Sequence, residues 1–105
     1  VTLDDIRLLV VSVDPEAAHY ESPRQGQEAY TVWQETRRLD LSADDSHADE
    51  GWAFTVDRFS RREIDPIRRA LFAALDGDAR VAVTELTAYE PETGYIHSIF
   101  DCQGV

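Results

Sequence analysis

The chain has 105 residues, 43% of them hydrophobic and 10% aromatic, with a formal net charge of −11. That length predicts a single domain, 1–105, with enough apolar side chain for a core and too much for wholesale disorder. The acidic balance argues against binding to nucleic-acid backbones, which takes clustered Lys or Arg; no apolar run reaches the roughly eighteen residues of a membrane span; and one cysteine, Cys102, excludes an intramolecular disulfide.

In chain order, Thr2 and Asp5 form a capping-box pattern. Ile6, Leu9, Val10 and Val13 follow at helical spacing, with Leu8 and Val11 off that face. The run LLVVSV is also β-branched, so a strand competes; the cap favours a helix, which Asp14-Pro15 stops. Two aspartates precede the apolar run, where a secretory signal needs positive charge, so a protein made and kept in a cytoplasm is expected.

Residues 17–20 suit a short strand, and 22–27, with Pro23 and Gly26, a loop. Residues 29–35 (AYTVWQE) are strand-forming, with Tyr30 and Val32 facing one way and Thr31 and Trp33 the other. Residues 37–51 read as a polar, acidic connection. In WAFTVDRFS, residues 52–60, Trp52, Phe54 and Val56 share a face. These runs predict a long antiparallel hairpin with an acidic tip.

Asp65 as N-cap and Pro66 at the first helical position open a second helix. Ile67, Ala70, Leu71, Ala74 and Leu75 make its core stripe, and Gly77 ends it. Residues 80–89 and the stretch after Pro91-Glu92-Thr93-Gly94 form a closing hairpin, including Cys102 as a reduced, half-buried strand residue. The order of elements predicts an α+β fold: a mostly antiparallel sheet of four to five strands with two helices packed on one face.

Charge is uneven. Residues 1–50 hold four Arg and twelve acids; residues 51–105 hold six Arg and nine acids. All ten basic residues are arginine, and five of them fall between Arg58 and Arg69. Arginine suits bidentate pairing at interfaces, although biased composition gives the same result. On a helical wheel Arg68, Arg69 and Phe72 fall away from the core stripe, with Arg61 joining them if the helix extends that far back. Arg and Phe are enriched at interface cores. Their natural complement is the acidic segment with Asp44, Asp45, Asp49 and Glu50 on another copy, a head-to-tail contact of the kind that closes into rings.

No catalytic site is expected. The acidic loop lacks the glycine and the spaced glutamate of an EF-hand. His19, His47 and His97 lie in separate elements, without zinc-ligand spacing, and neither a nucleophile elbow nor a phosphate loop is present. No metal or cofactor is therefore expected. An enzyme would have to use His97, Tyr95 and Glu92, or the loop at 44–50. An acidic inhibitory module that mimics DNA is the alternative; it would need rows of carboxylates, whereas here they alternate with arginines.

The segments YTVWQE, ADD, WAFTVDRFSRREIDPI, the helix containing AAL, and YEPETGYIH, together spanning 19–100, resemble small tail-completion or tail-terminator proteins. Those proteins belong to siphophages and prophages of Gram-positive bacteria. The N-terminal helix matches only in kind, and DCQGV departs from an apolar-aromatic ending, which leaves the pairing of the last strand open. The resemblance implies a non-enzymatic virion protein assembled in the bacterial cytoplasm. It implies self-assembly as a ring, six-fold in many such proteins, with the tail tube and head-tail connectors as partners. An acidic lining would let DNA slide through the lumen.

Overall fold

The computed structural model describes residues 1–40 and 50–105. The elements are α1 (Leu3–Val11), β1 (Ala18–His19), β2 (Ala29–Arg38), β3 (Trp52–Ser60), α2 (Pro66–Asp76), β4 (Val81–Glu90) and β5 (Tyr95–Gly104). They form the expected α+β architecture, with one sheet in the order β1-β2-β3-β5-β4. β1 runs parallel to β2, and all other pairs are antiparallel. Among the described residues no helix is long and apolar enough to cross a membrane.

The capping box settles α1 as a helix. Thr2 Oγ1 accepts from Asp5 N at 3.1 Å, and Asp5 Oδ2 accepts from Thr2 N at 2.9 Å. These bonds, chiefly the one from the Thr2 backbone, hold the Asp5 carboxyl below the ordinary aspartate range. Ile6 and Val10 are buried, Leu9 and Val13 half-buried, and Leu8 exposed.

α2 begins where Asp65 and Pro66 predict, and Asp65 Oδ1 accepts from Ile67 N at 3.3 Å. Its core face is rotated from the expected stripe. Leu71 and Leu75 are fully buried, but Ala70 is exposed and Phe72 packs against the core, its ring centroid 6.4 Å from that of Phe100. The ring has far more apolar area to bury than a methyl group does, so it sets the helix rotation. At Gly77 a Cβ would lie 2.9 Å from the Ala73 carbonyl oxygen, and this close approach explains the glycine.

Odd and even positions sort the sheet into two faces. Trp33, Phe54, Val56, Phe100 and Cys102 face the helices and join Ile6, Val10, Leu71 and Leu75 in one core. The closing hairpin turns at 91–94, with Gly94 at φ +78° supplying a left-handed position. Its second strand is interior: β5 lies between β3 and β4 and pairs with both out to Gly104. Asp101 to Gly104 of the ending DCQGV are thus paired on both sides, and β4, the first strand of the hairpin, forms the sheet edge.

Cys102 is buried, not half-buried, and burial pushes its thiol up to about 12. A thiol reagent at pH 8 is expected to leave it unmodified in the native protein and to titrate it fully in denaturant. Rapid native reaction would mean that the β3–β5 core opens readily.

The core face also holds a buried charge. Arg58 donates from Nε to Asp65 Oδ2 at 2.8 Å and from Nη2 to Asp65 Oδ1 at 3.2 Å. Its Nη1 reaches Thr31 Oγ1 at 3.1 Å and Asp14 Oδ2 at 3.4 Å. Arg58 and Asp14 are only 5% and 6% exposed. One guanidinium thereby joins the segment after α1, strands β2 and β3, and the start of α2.

Candidate functional site

α2 begins at Pro66, so Arg61 lies outside it and does other work. Its Nε donates to the Thr93 carbonyl at 2.9 Å, and Nη1 donates to the carbonyls of Gly26 and Gln27 at 3.1 and 3.2 Å. The guanidinium sits 4.3 Å from the centroid of the Tyr95 ring. Arg61 therefore ties the loop before β2 to the β4–β5 turn.

Arg68, Arg69 and Phe72 do come together, lining a hollow of about 220 Å³ with Glu63, Asp65 and Glu85. Within it Arg68 is engaged: Nε donates to Glu85 Oε2 at 2.7 Å and Nη2 to Thr87 Oγ1 at 3.0 Å. Phe72 belongs partly to the core. Arg69 is exposed and makes no ion pair among the described residues. It also borders a second hollow, of about 310 Å³, with Ile64, Pro66, Ala70 and Ala73. Ile64 is 81% exposed, so the outer side of α2 is an apolar patch around a cation with no ion pair among the described residues. Sequence reasoning missed Ile64: it continues the spacing of Ile67, Leu71 and Leu75, but the N-cap at Asp65 leaves it outside the helix.

On the acidic side, Asp44, Asp45 and Asp49 lie outside the described residues. Glu50 accepts from Trp52 Nε1 at 2.8 Å, so its carboxylate is already bonded within the chain.

The sheet face opposite the helices carries a feature that periodicity alone did not reveal. Tyr30, Phe59 and His97 lie in register across β2, β3 and β5. Their rings stack at 4.6 Å between Tyr30 and Phe59 and at 4.0 Å between Phe59 and His97. Tyr95 meets Tyr30 and Phe59 edge-on at 5.6 and 5.8 Å. Burial raises the Tyr30 hydroxyl above its ordinary range, and nearby Tyr95 and Glu90 add to the effect. The available signal was the parity of Phe59, which is out of phase with Trp52, Phe54 and Val56.

His97 sits between two carboxylates, with Nε2 3.0 Å from Asp57 Oδ2 and Nδ1 3.4 Å from Glu90 Oε2. His97 is thus a bonded sheet-face histidine, and the acids beside it are Asp57 and Glu90, whereas an enzyme built on His97 was expected to use Glu92. Asp57 Oδ1 is buried without a hydrogen-bond partner among the described residues. Asp57 also lines a hollow of about 230 Å³ with Tyr20, Ser22, Gln25, Tyr30 and Phe59, among others. At its mouth Tyr20 adopts φ 69°, its hydroxyl bonding Glu35 and its ring stacked on His19 at 3.8 Å. The Ser22 hydroxyl accepts from Arg24 N at 3.0 Å, and among the described residues no histidine lines the hollow.

The chain matches no known protein family, and no curated protein is similar to it in sequence. Its surfaces therefore carry the functional reading. They are the sheet face opposite the helices with its aromatic row, an apolar patch around Arg69, and acids of which several pair with arginine. Asp4 with Arg7, Glu16 with Arg24, Glu28 with Arg62 and Asp78 with Arg80 are such pairs.

Proposed function

We propose that this protein is a non-enzymatic building block of a phage or prophage tail, completing the tail tube as an oligomeric ring near the head. The observation that carries the reading is the outer side of α2, where Ile64, Ala70 and Ala73 border an exposed Arg69 that has no ion pair among the described residues. An apolar patch with an exposed arginine is the composition of a docking surface. The likeness of residues 19–100 to tail-completion proteins supplies the tail context. A charge of −11 suits a ring through which DNA must pass without adhering. The DNA-mimic reading is weaker, because paired arginines interrupt the carboxylates it needs.

Arg69→Glu is the informative variant, since Arg68 also serves the fold through Glu85. It is expected to weaken ring formation on purified tail tubes by about tenfold or more, with an unchanged circular dichroism spectrum. Rings of wild-type occupancy in negative-stain images would refute the contact. Recovery of a host nuclease with no virion protein would favour the inhibitory module instead.

A further inference from the structure

We propose that the outer edge of β4 is a self-pairing surface, on which a second copy of the chain lays its own β4 antiparallel and joins two sheets into one. The pairing does not rest on the tail reading, because it is a property of the chain alone.

β4 is the last strand of the sheet, and its outward backbone groups follow from the register. Val105 N donates to the Arg80 carbonyl at 2.9 Å, extending the Val81–Gly104 pairing by one step. Even-numbered residues of β4 thus exchange hydrogen bonds with β5. Val83, Glu85, Thr87 and Tyr89 turn their N–H and C=O groups away from the sheet, and no backbone group among the described residues meets them.

Such an edge is a template for another strand, and proteins usually blunt it with lysine, proline or a bulge. β4 has none of these: its register with β5 is unbroken, and Glu85 is its sole charge before Glu90. Arg68 offsets even that charge. The opposite side of the sheet is protected: β1 is only two residues long, and β2 carries a register shift between Glu35 and Arg37 beside exposed Arg37 and Arg38.

The sequence of the edge favours one alignment over its two nearest neighbours. Outward groups are on odd residues, so odd residues must face odd residues. Centring the pair on Glu85 sets two like charges opposite each other. Centring it on Thr87 sets Val83 against Pro91, which has no N–H to give. Centring it on Leu86 sets Glu85 against Thr87 and Val83 against Tyr89 of the second copy. Leu86 then meets its own twin at a close, non-hydrogen-bonded position. This alignment covers Leu86 and Tyr89, which are 53% and 65% exposed in the single chain. The contact is isologous and closes at two.

The test is sedimentation and light scattering of the purified chain at moderate salt. The wild type is expected to form a dimer as concentration rises. Leu86→Lys, which sets two cations face to face, and Thr87→Pro, which removes an outward N–H, are each expected to weaken it about tenfold or more with the fold retained. With oxidised glutathione as oxidant, Leu86→Cys is expected to cross-link between copies and Ala88→Cys, which faces Thr84 in this alignment, is not. A chain that stays monomeric up to about 1 mM overturns the proposal. So does a dimer indifferent to both edge variants, or equal cross-linking at positions 86 and 88.

Discussion

Arg58→Met is expected to lower the unfolding free energy by about 3–5 kcal/mol, the usual cost of removing one partner from a buried ion cluster. The arginine itself has no large net value, since desolvating a guanidinium offsets much of its attraction to carboxylates. The loss comes from what remains. Asp14 and Asp65 would stay buried in a space shaped for a cation, with Thr31 beside them. The proper control removes the charges together. A triple variant, Arg58→Met with Asp14→Leu and Asp65→Asn, keeps a capping side chain on α2 and leaves no buried ion. It is expected to recover most of the lost stability in urea unfolding followed by tryptophan fluorescence. If the single variant costs under about 1 kcal/mol, solvent reaches the cluster and the ions do not hold the elements together.

That cluster also shows where the sequence could not be read. The helix starts were legible because their signals are local: Thr2 and Asp5 are three residues apart, and Asp65 adjoins Pro66. The hairpins were legible for the same reason, with alternation on either side of a turn. Arg58 reads locally as one surface arginine among five, because its partners Asp14, Thr31 and Asp65 come from three other segments. The interior place of β5 is likewise a long-range result, since local alternation says that a strand forms and not which neighbour it takes. The rotation of α2 was a misjudged competition: a stripe counted by spacing gave Ala70 the same vote as Phe72, while burial weighs them by area.

The candidate surfaces divide along the same line. Arg68, Arg69 and Phe72 were found because they share a helix, but among the described residues Arg68 is held by Glu85 and Phe72 by the core, while Arg69 has no ion pair. Arg61 was grouped with them by proximity in sequence, yet it closes a loop on the opposite side of the sheet from α2, at the Tyr95 ring. The aromatic row needed the cross-strand register of three strands before its members could be seen as one feature. The edge of β4 needed the sheet order.

The two faces of the sheet predict different consequences for the same substitution. Phe100→Ala is expected to cost about 3–5 kcal/mol, because Phe100 is fully buried on a central strand and its removal leaves a cavity beneath α2. Neighbouring strands and Leu71 and Leu75 are held by their own backbone and helix contacts, so little collapse into that space is available. Phe59→Ala lies on the open face. There the ring loses its stacking on Tyr30 and His97, but water can take its place, and the expected cost is about 1–2 kcal/mol. Urea unfolding of the two variants, with equal slopes, measures the difference directly. A clear gap separates the aromatic row from the helix-face core, with Tyr30 buried and Phe59 and His97 half-buried in the single chain. Equal losses would show that the open face is as much a part of the core as the helix face, and would remove it from the candidate docking surfaces.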